Sequence, residues 1–316
     1  VSIKSSELLN FYYDDLYPEL LELEKERKKI AKSVVLVAFV VGGGALFVIL
    51  KYYEANFDTL IQGGIVSFAL VSFAAGWLMS GYKRRFKRNI FARIVAKIDP
   101  ALNYDPRGMI PKSLFRSSGL FESRIDFYEG NDLIRGKIGK VPIEFSDLKV
   151  EKEVRDSKGR KYRSTIFAGT FIITEFHKNF SKEVFIYPDV AEKYLGIAGG
   201  WLQGVLSQKL VRMDSPKFEK EFKVVAEDPV EAHYLLTPNI MERLVELRKR
   251  ADAPIYLSFR LNKLYIAISS GSDWFEPTIF KSLLSMDTFK SYIENINLIL
   301  GIVEELNLNC RIWSKE

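Results

Sequence analysis

Only two histidines and one cysteine occur among the 316 residues, so side chains able to act as a base, a nucleophile or a soft metal ligand are few. Asp228, Glu231, His233 and Tyr234 fall together in "EDPVEAHYLLTP". A histidine beside carboxylates can serve as a general base or a metal ligand. The same letters also spell a helix start. Asp228 stands at an N-cap before Pro229, and Glu231 follows at capping-box spacing. Capping occupies both carboxylates, and a two-residue step along a helix turns His233 away from Glu231. Asp228, Glu231 and His233 therefore stand as the alternative active site, behind a non-catalytic reading.

The remaining candidates are weaker. His177, in "TEFHKNF", ends a strand and reads as a turn residue. Cys310 has only Arg311 beside it, too little to lower a thiol pKa for catalysis. "YEGNDLIRGKIG" is glycine-rich but matches neither a phosphate loop nor a dinucleotide fingerprint. The Gly196–Gly204 loop lacks the lysine and hydroxyl that a phosphate loop needs. One cysteine excludes both an internal disulfide and a multi-thiolate zinc site, and no cofactor or metal is expected. Trp274 and Phe275, in "GSDWFEP", are a possible partner contact if exposed and ordinary core residues if not.

The elements that would position these residues begin with two uncharged runs. Ser33–Leu50 and Leu60–Ser80 contain no Asp, Glu, Lys, Arg or His, and nine residues separate them. Eighteen helical residues span roughly 27 Å, close to the hydrocarbon thickness of a bilayer. Two buried core helices of that length would normally carry some polar face. The reading is a transmembrane helical hairpin over 33–82, with spans at about 33–50 and 60–80. No ionisable group lies inside either span, which argues against an ion or proton pathway. Ala38 and Gly42, then Ser72, Gly76 and Ser80, recur at four-residue spacing and suit packing of one span on the other.

Lys83, Arg84, Arg85, Lys87 and Arg88 follow the second run directly and supply five positive charges against a net of +6 for the whole chain. So short a cluster on a nearly balanced body does not make a phosphate-tracking face, and no nucleic acid is expected. The cluster reads as a topology anchor that also meets lipid headgroups. Lys25, Arg27, Lys28, Lys29 and Lys32 flank the first run, while the connecting loop has Lys51 alone. The positive-inside rule then places both termini in the cytoplasm of an inner membrane. Tyr52, Tyr53, Trp77 and Tyr82 fall at the levels of the two interfacial belts.

Residues 1–32 form a helical segment starting at Pro18, with Leu20, Leu23 and Ile30 on one stripe that Arg27 interrupts. Residues 83–111 read as a basic stalk and linker, with Phe86, Ile90, Ile94 and Ile98 at four-residue spacing up to Asp99-Pro100. Residues 112–316 read as a cytoplasmic α+β domain with mainly antiparallel strands. "DSKGRK" marks a long hairpin tip, and "APIYLSFRLNKLYIAISS" marks a second hairpin. Ser215-Pro216, Asp228-Pro229 and Thr237-Pro238 each place a capping side chain before proline. A final helix is expected from Asp287 to Leu306, with Phe289, Ile293, Ile296 and Leu300 facing inward.

Several stretches together carry a resemblance: "LYPELLELEKERKK", two spans, "DFYEGNDLIRGKIGKVPIEFSDL", "FAGTFIITEFHKNF", "FEKEFKVVAEDPVEAHYLLTPNIMERL" and "EELNLNCRIW". The chain resembles a family of bacterial two-span membrane proteins catalogued as a domain of unknown function, most specifically over Phe218 to Leu244. The resemblance implies a bacterial protein with a cytoplasmic domain and supplies no catalytic residues. The expected function is a binding or scaffold module held at the lipid bilayer, with another membrane-associated protein as partner. The alternatives are a tethered enzyme at Asp228–His233 and an anionic-lipid sensor.

Overall fold

Pro18 does not begin a helix. In the computed structural model, α1 (Ser5–Asn10) passes through a π-helical turn at Phe11–Leu16 into α2 (Tyr17–Tyr52). Proline has no N–H for the carbonyl four residues back, and its ring crowds that carbonyl. A widened turn just upstream accommodates both effects. The structure describes residues 5–52, 56–175, 182–189, 209–260, 262–271 and 273–313. His177 and the Gly196–Gly204 loop lie outside them, as do the side chains from 303 onward, including that of Cys310.

The chain divides into two compact units. The helical unit takes residues 2–94 and 276–292; the sheet unit takes residues 95–275 and 293–316. Glu276–Tyr292, inside the expected 112–316 domain, groups with the helices.

In the helical unit, α3 (Phe57–Phe86) starts at Asn56, whose side chain accepts from the Thr59 N–H at 3.0 Å. A π-helical turn at Lys87–Phe91 leads into α4 (Ala92–Ile98). The two long helices are apolar and long enough to cross a bilayer, and their apolar windows are only 6% and 0% buried. Phe39, Phe68 and Phe73 are each at least 75% exposed. A soluble core helix would bury such side chains; these two do not.

The small residues behave differently from expectation. A Cβ added at Gly42 or Gly76 meets open space, whereas one at Gly63 comes within 2.5 Å of Ile49 Cδ1. Gly63 on α3 thus lies against Ile49 on α2, whereas Gly42 and Gly76 of the four-residue repeats face open space. Tyr82 is fully buried and so does not sit in an interfacial belt, while Trp77 is 73% exposed.

Below the apolar stretch, the stripe break at Arg27 is a buried ion pair. Glu24 accepts from Arg27 Nε at 2.8 Å and Nη2 at 2.7 Å, and also from the Leu283 N–H at 3.1 Å. Arg27 donates onward to the Ile279 carbonyl, and the Tyr12 hydroxyl donates to the Leu284 carbonyl at 3.1 Å. Phe289 packs on Tyr12 with ring centroids 4.9 Å apart. These bonds fasten 276–292 to the first helices.

The sheet unit holds β1 (Asn103–Asp105), β2 (Phe127–Ile138), β3 (Val141–Arg155), β4 (Lys161–Glu175), β5 (Val184–Pro188), β6 (Leu210–Val211), β7 (Phe222–Ala226), β8 (Ile255–Arg260) and β9 (Lys263–Ile268). Their order is β1-β2-β3-β4-β9-β8-β5-β7-β6 with every neighbouring pair antiparallel. β1 replaces part of the expected linker; three residues are too few to display alternation. The β3–β4 tip closes at Asp156, whose carboxylate accepts from the N–H groups of Lys158 and Arg160 at 2.9 Å each.

The helices of this unit are α5 (Lys112–Ser117), α6 (Pro216–Glu219), α7 (Pro229–Leu235) and α8 (Pro238–Ala251), and α9 (Met286–Trp313) runs on from the helical unit. All three proline starts are capped as the sequence indicates: Ser215, Asp228 and Thr237 accept from Phe218, Val230 and Ile240 N–H groups. Phe115, Phe121, Phe167, Phe171 and Tyr256 fill the core beside the sheet. Each buried side chain of that size contributes about 1.5–3 kcal/mol.

Candidate functional site

Register alone brings polar residues into one line across the sheet. Asn131 on β2 pairs with Asp147 on β3, and Asp147 pairs with Thr170 on β4. The next residue, Asp132, sits where the β2–β3 register slips between Asn131 and Ile134, with φ of 57°. That left-handed conformation is one that Asp tolerates better than most residues. The slip turns Asp132 inward, where it is fully buried. The Tyr104 hydroxyl, from β1, donates to Asp132 Oδ1. Burial and the neighbouring Asp132 carboxylate push the Tyr104 phenol far up, so it stays a donor.

Asp147 is 3% exposed. Its Oδ1 accepts from Thr170 Oγ1 at 2.5 Å, while its Oδ2 has no partner. Burial, and then the nearby Asp273, raise the Asp147 carboxyl well above its ordinary range. Asp273 comes from the segment after β9. That segment is tied back to β4 by the Gly271 N–H donating to the Ala168 carbonyl at 3.1 Å. One carboxylate oxygen from each of Asp132, Asp147 and Asp273 lies within 4.8 Å of the others.

A cavity of about 330 Å³ opens beside them, lined by Asn131, Asp147, Asp273, Gly130, Gly169 and Gly271. Its glycines are structural requirements. At Gly169, φ is +148° and a Cβ would lie 2.1 Å from the Ile268 carbonyl oxygen; at Gly130 a Cβ would lie 2.5 Å from that of Asp147. Side chains at these positions would force β4 from β9 and β2 from β3.

The residues singled out from sequence lie elsewhere. Asp228 caps α7, and His233 is exposed on that short helix, away from the cavity. Glu231 is half-buried in its first turn. Phe275 is fully buried, 6.4 Å from Phe145 by ring centroid, so an exposed aromatic pair is not present; Trp274 is half-buried. Among the basic residues, Lys83 pairs with Glu276, Arg85 pairs with Glu26, and Lys87 is buried with Nζ 3.5 Å from Glu276. Lys87 is thus removed from any lipid surface, whereas Arg84 and Arg88 are exposed.

Sequence reading passed over the aspartate cluster. One local signal existed: in "VPIEFSDL", Ile143, Phe145 and Asp147 alternate onto one buried face, which puts a carboxylate where an apolar residue belongs. The register slip that buries Asp132 leaves no such mark.

Residues 165–308 match the family described as Protein of unknown function (DUF3137). The match takes in β4, β9 and Asp273, and stops short of β2, β3 and the apolar helices. No curated protein matches the chain. The crystal structure of the mycobacterial trehalose monomycolate transport factor A, TtfA, aligns over 70% of this chain and 96% of its own, at 9% identity and a TM-score of 0.35. A superposition that loose carries no argument about fold or role.

Proposed function

We propose that this chain is a bacterial inner-membrane protein in which α2 and α3 cross the bilayer as a hairpin. Both termini lie in the cytoplasm, and the sheet unit acts there as a binding module for another membrane-associated protein. The observation that carries the reading is the exposure of the two apolar windows, 6% and 0% buried. At about 25 cal/mol per Å² of apolar surface, leaving that much hydrocarbon in water is costly, and lipid removes the cost. The basic residues on the outer flanks, against Lys51 alone in the connecting loop, set the orientation. A binding role for the sheet unit is supported by its converging polar groups beside a cavity, and no reaction is assigned to them.

Extraction of membranes at alkaline pH tests the anchor. The full chain is expected to stay with the lipid pellet and to float with vesicles. Release into the supernatant would contradict a spanning hairpin. An exposed role for Arg84 and Arg88 at headgroups follows as a smaller effect, about 1 kcal/mol per residue near an anionic surface.

A further inference from the structure

Among the described residues, Asp147 Oδ2 and Asn131 Oδ1 are buried side-chain atoms that no hydrogen-bond donor reaches, and both belong to residues lining the acidic cavity. Both are acceptors. A protein that buries an acceptor without a donor loses about 1–3 kcal/mol. Water can supply a donor, but water does nothing for the repulsion among three carboxylates gathered within 4.8 Å. A cation answers both needs.

We propose that Asp132, Asp147 and Asp273 hold one hard divalent cation of calcium size. All three donors are carboxylate oxygens, the ligand type of hard cations, and no thiolate or imidazole is in the set. A calcium ion keeps its ligands about 2.3–2.6 Å away, so two ligand atoms on opposite sides stand up to about 5 Å apart. The three oxygens, all within 4.8 Å of one another, fall inside that reach. The surrounding bonds fit a ligand role. Asp132 Oδ1 is oriented by Tyr104, and Asp147 Oδ1 is oriented by Thr170, which leaves Asp147 Oδ2 for the ion. Asp273 is exposed and reaches the site from a loop, so it can complete the shell as the ion enters through the cavity. The site needs nothing from the membrane reading and stands or falls separately.

The competing use of the same geometry is a proton shared between Asp147 and Asp273. Terbium, which takes calcium sites and emits when a nearby aromatic is excited, separates the two. Tyr104, which donates to Asp132, stands at the site as a sensitiser. With the full chain in detergent after chelation, bound terbium is expected to emit on ultraviolet excitation of the protein, and calcium is expected to quench that emission by displacement. Calcium is also expected to raise Tm. Asp273→Asn, an exposed change that leaves the core intact, should weaken binding about tenfold or more and remove most of the Tm response. Emission and Tm that ignore calcium to millimolar levels in the folded chain would overturn the site. So would a calcium response that Asp273→Asn leaves unchanged.

Discussion

Two buried clusters, the Glu24–Arg27 clamp of the helical unit and the aspartates of the sheet unit, handle charge in opposite ways. In the helical unit each buried charge described has a built-in counter-charge: Glu24 has Arg27, and Lys87 has Glu276. In the sheet unit, buried Glu151 is paired in the same way, with Lys149 at 3.3 Å and Arg163 at 3.5 Å, whereas Asp132 and Asp147 are buried together and the third acid, Asp273, adds to the same sign. Burying an ion costs several kcal/mol unless a partner repays it. The first unit repays it within the fold. At the aspartate cluster, the proposed cation would repay it. The difference separates a structural clamp from a site.

Breaking the clamp should give the largest effect. Glu24→Ala strands the Arg27 guanidinium, whose side chain is 11% exposed, and is expected to cost about 3–5 kcal/mol in urea unfolding of the detergent-solubilised chain. A loss below about 1 kcal/mol would mean that the pair is a surface contact.

Asp147→Asn should act with the opposite sign. In chelated protein, above the raised Asp147 pKa, it removes the cost of ionising a buried carboxyl beside Asp273 and is expected to stabilise the fold by about 1–3 kcal/mol. With calcium present, the wild type regains the advantage. Stabilisation that calcium does not reverse would contradict the cation.

The pH dependences should oppose each other as well. Hydrogen bonds from Arg27 hold the Glu24 carboxyl below its ordinary value of 4.5. Its contribution is therefore complete above pH 4.5 and is lost as pH falls through the depressed value. Asp147 is raised above 3.8, chiefly by burial. Its cost is complete above the raised value and fades as pH falls through it toward 3.8. Without calcium, the stability gap between Asp147→Asn and wild type should narrow on acidification. A gap that widens would contradict the burial of an ionised acid.

The smallest effect should come from Arg93, 43% exposed, which lies 3.6 Å from Asp15 and 3.8 Å from Glu19. Arg93→Ala is expected to change stability by about 0–1 kcal/mol, less at high salt. A larger loss would erase the distinction between buried and exposed pairs on which the comparison rests.

Local grammar carried much of the architecture. Proline after a capping side chain gave all three helix starts, and "DSKGRK" gave the hairpin tip, because both are short-range hydrogen-bond patterns. The inward stripes at Phe86–Ile98 and Phe289–Leu300 were equally readable, since helical period is local. Four features were not. β1 is too short to alternate. Residues 276–292 join the helical unit through bonds to Tyr12, Glu24 and Arg27, and partners so distant in sequence leave no local trace. Arg27 looked like a flaw in an apolar stripe because its partner's burial was invisible. The aspartate site needed both a register slip and a returning loop, and neither has a sequence signature.

Cys310 is the sole cysteine, and it gives the most direct test of the proposed hairpin. In sealed spheroplasts, a membrane-impermeant maleimide should leave Cys310 unlabelled and should label it after lysis and denaturation. Asp58→Cys, at the exposed start of α3 and at the opposite end of that helix from Lys83, should label in the sealed spheroplasts. Labelling of Cys310 while the membrane is intact would contradict a two-span anchor with both ends inside.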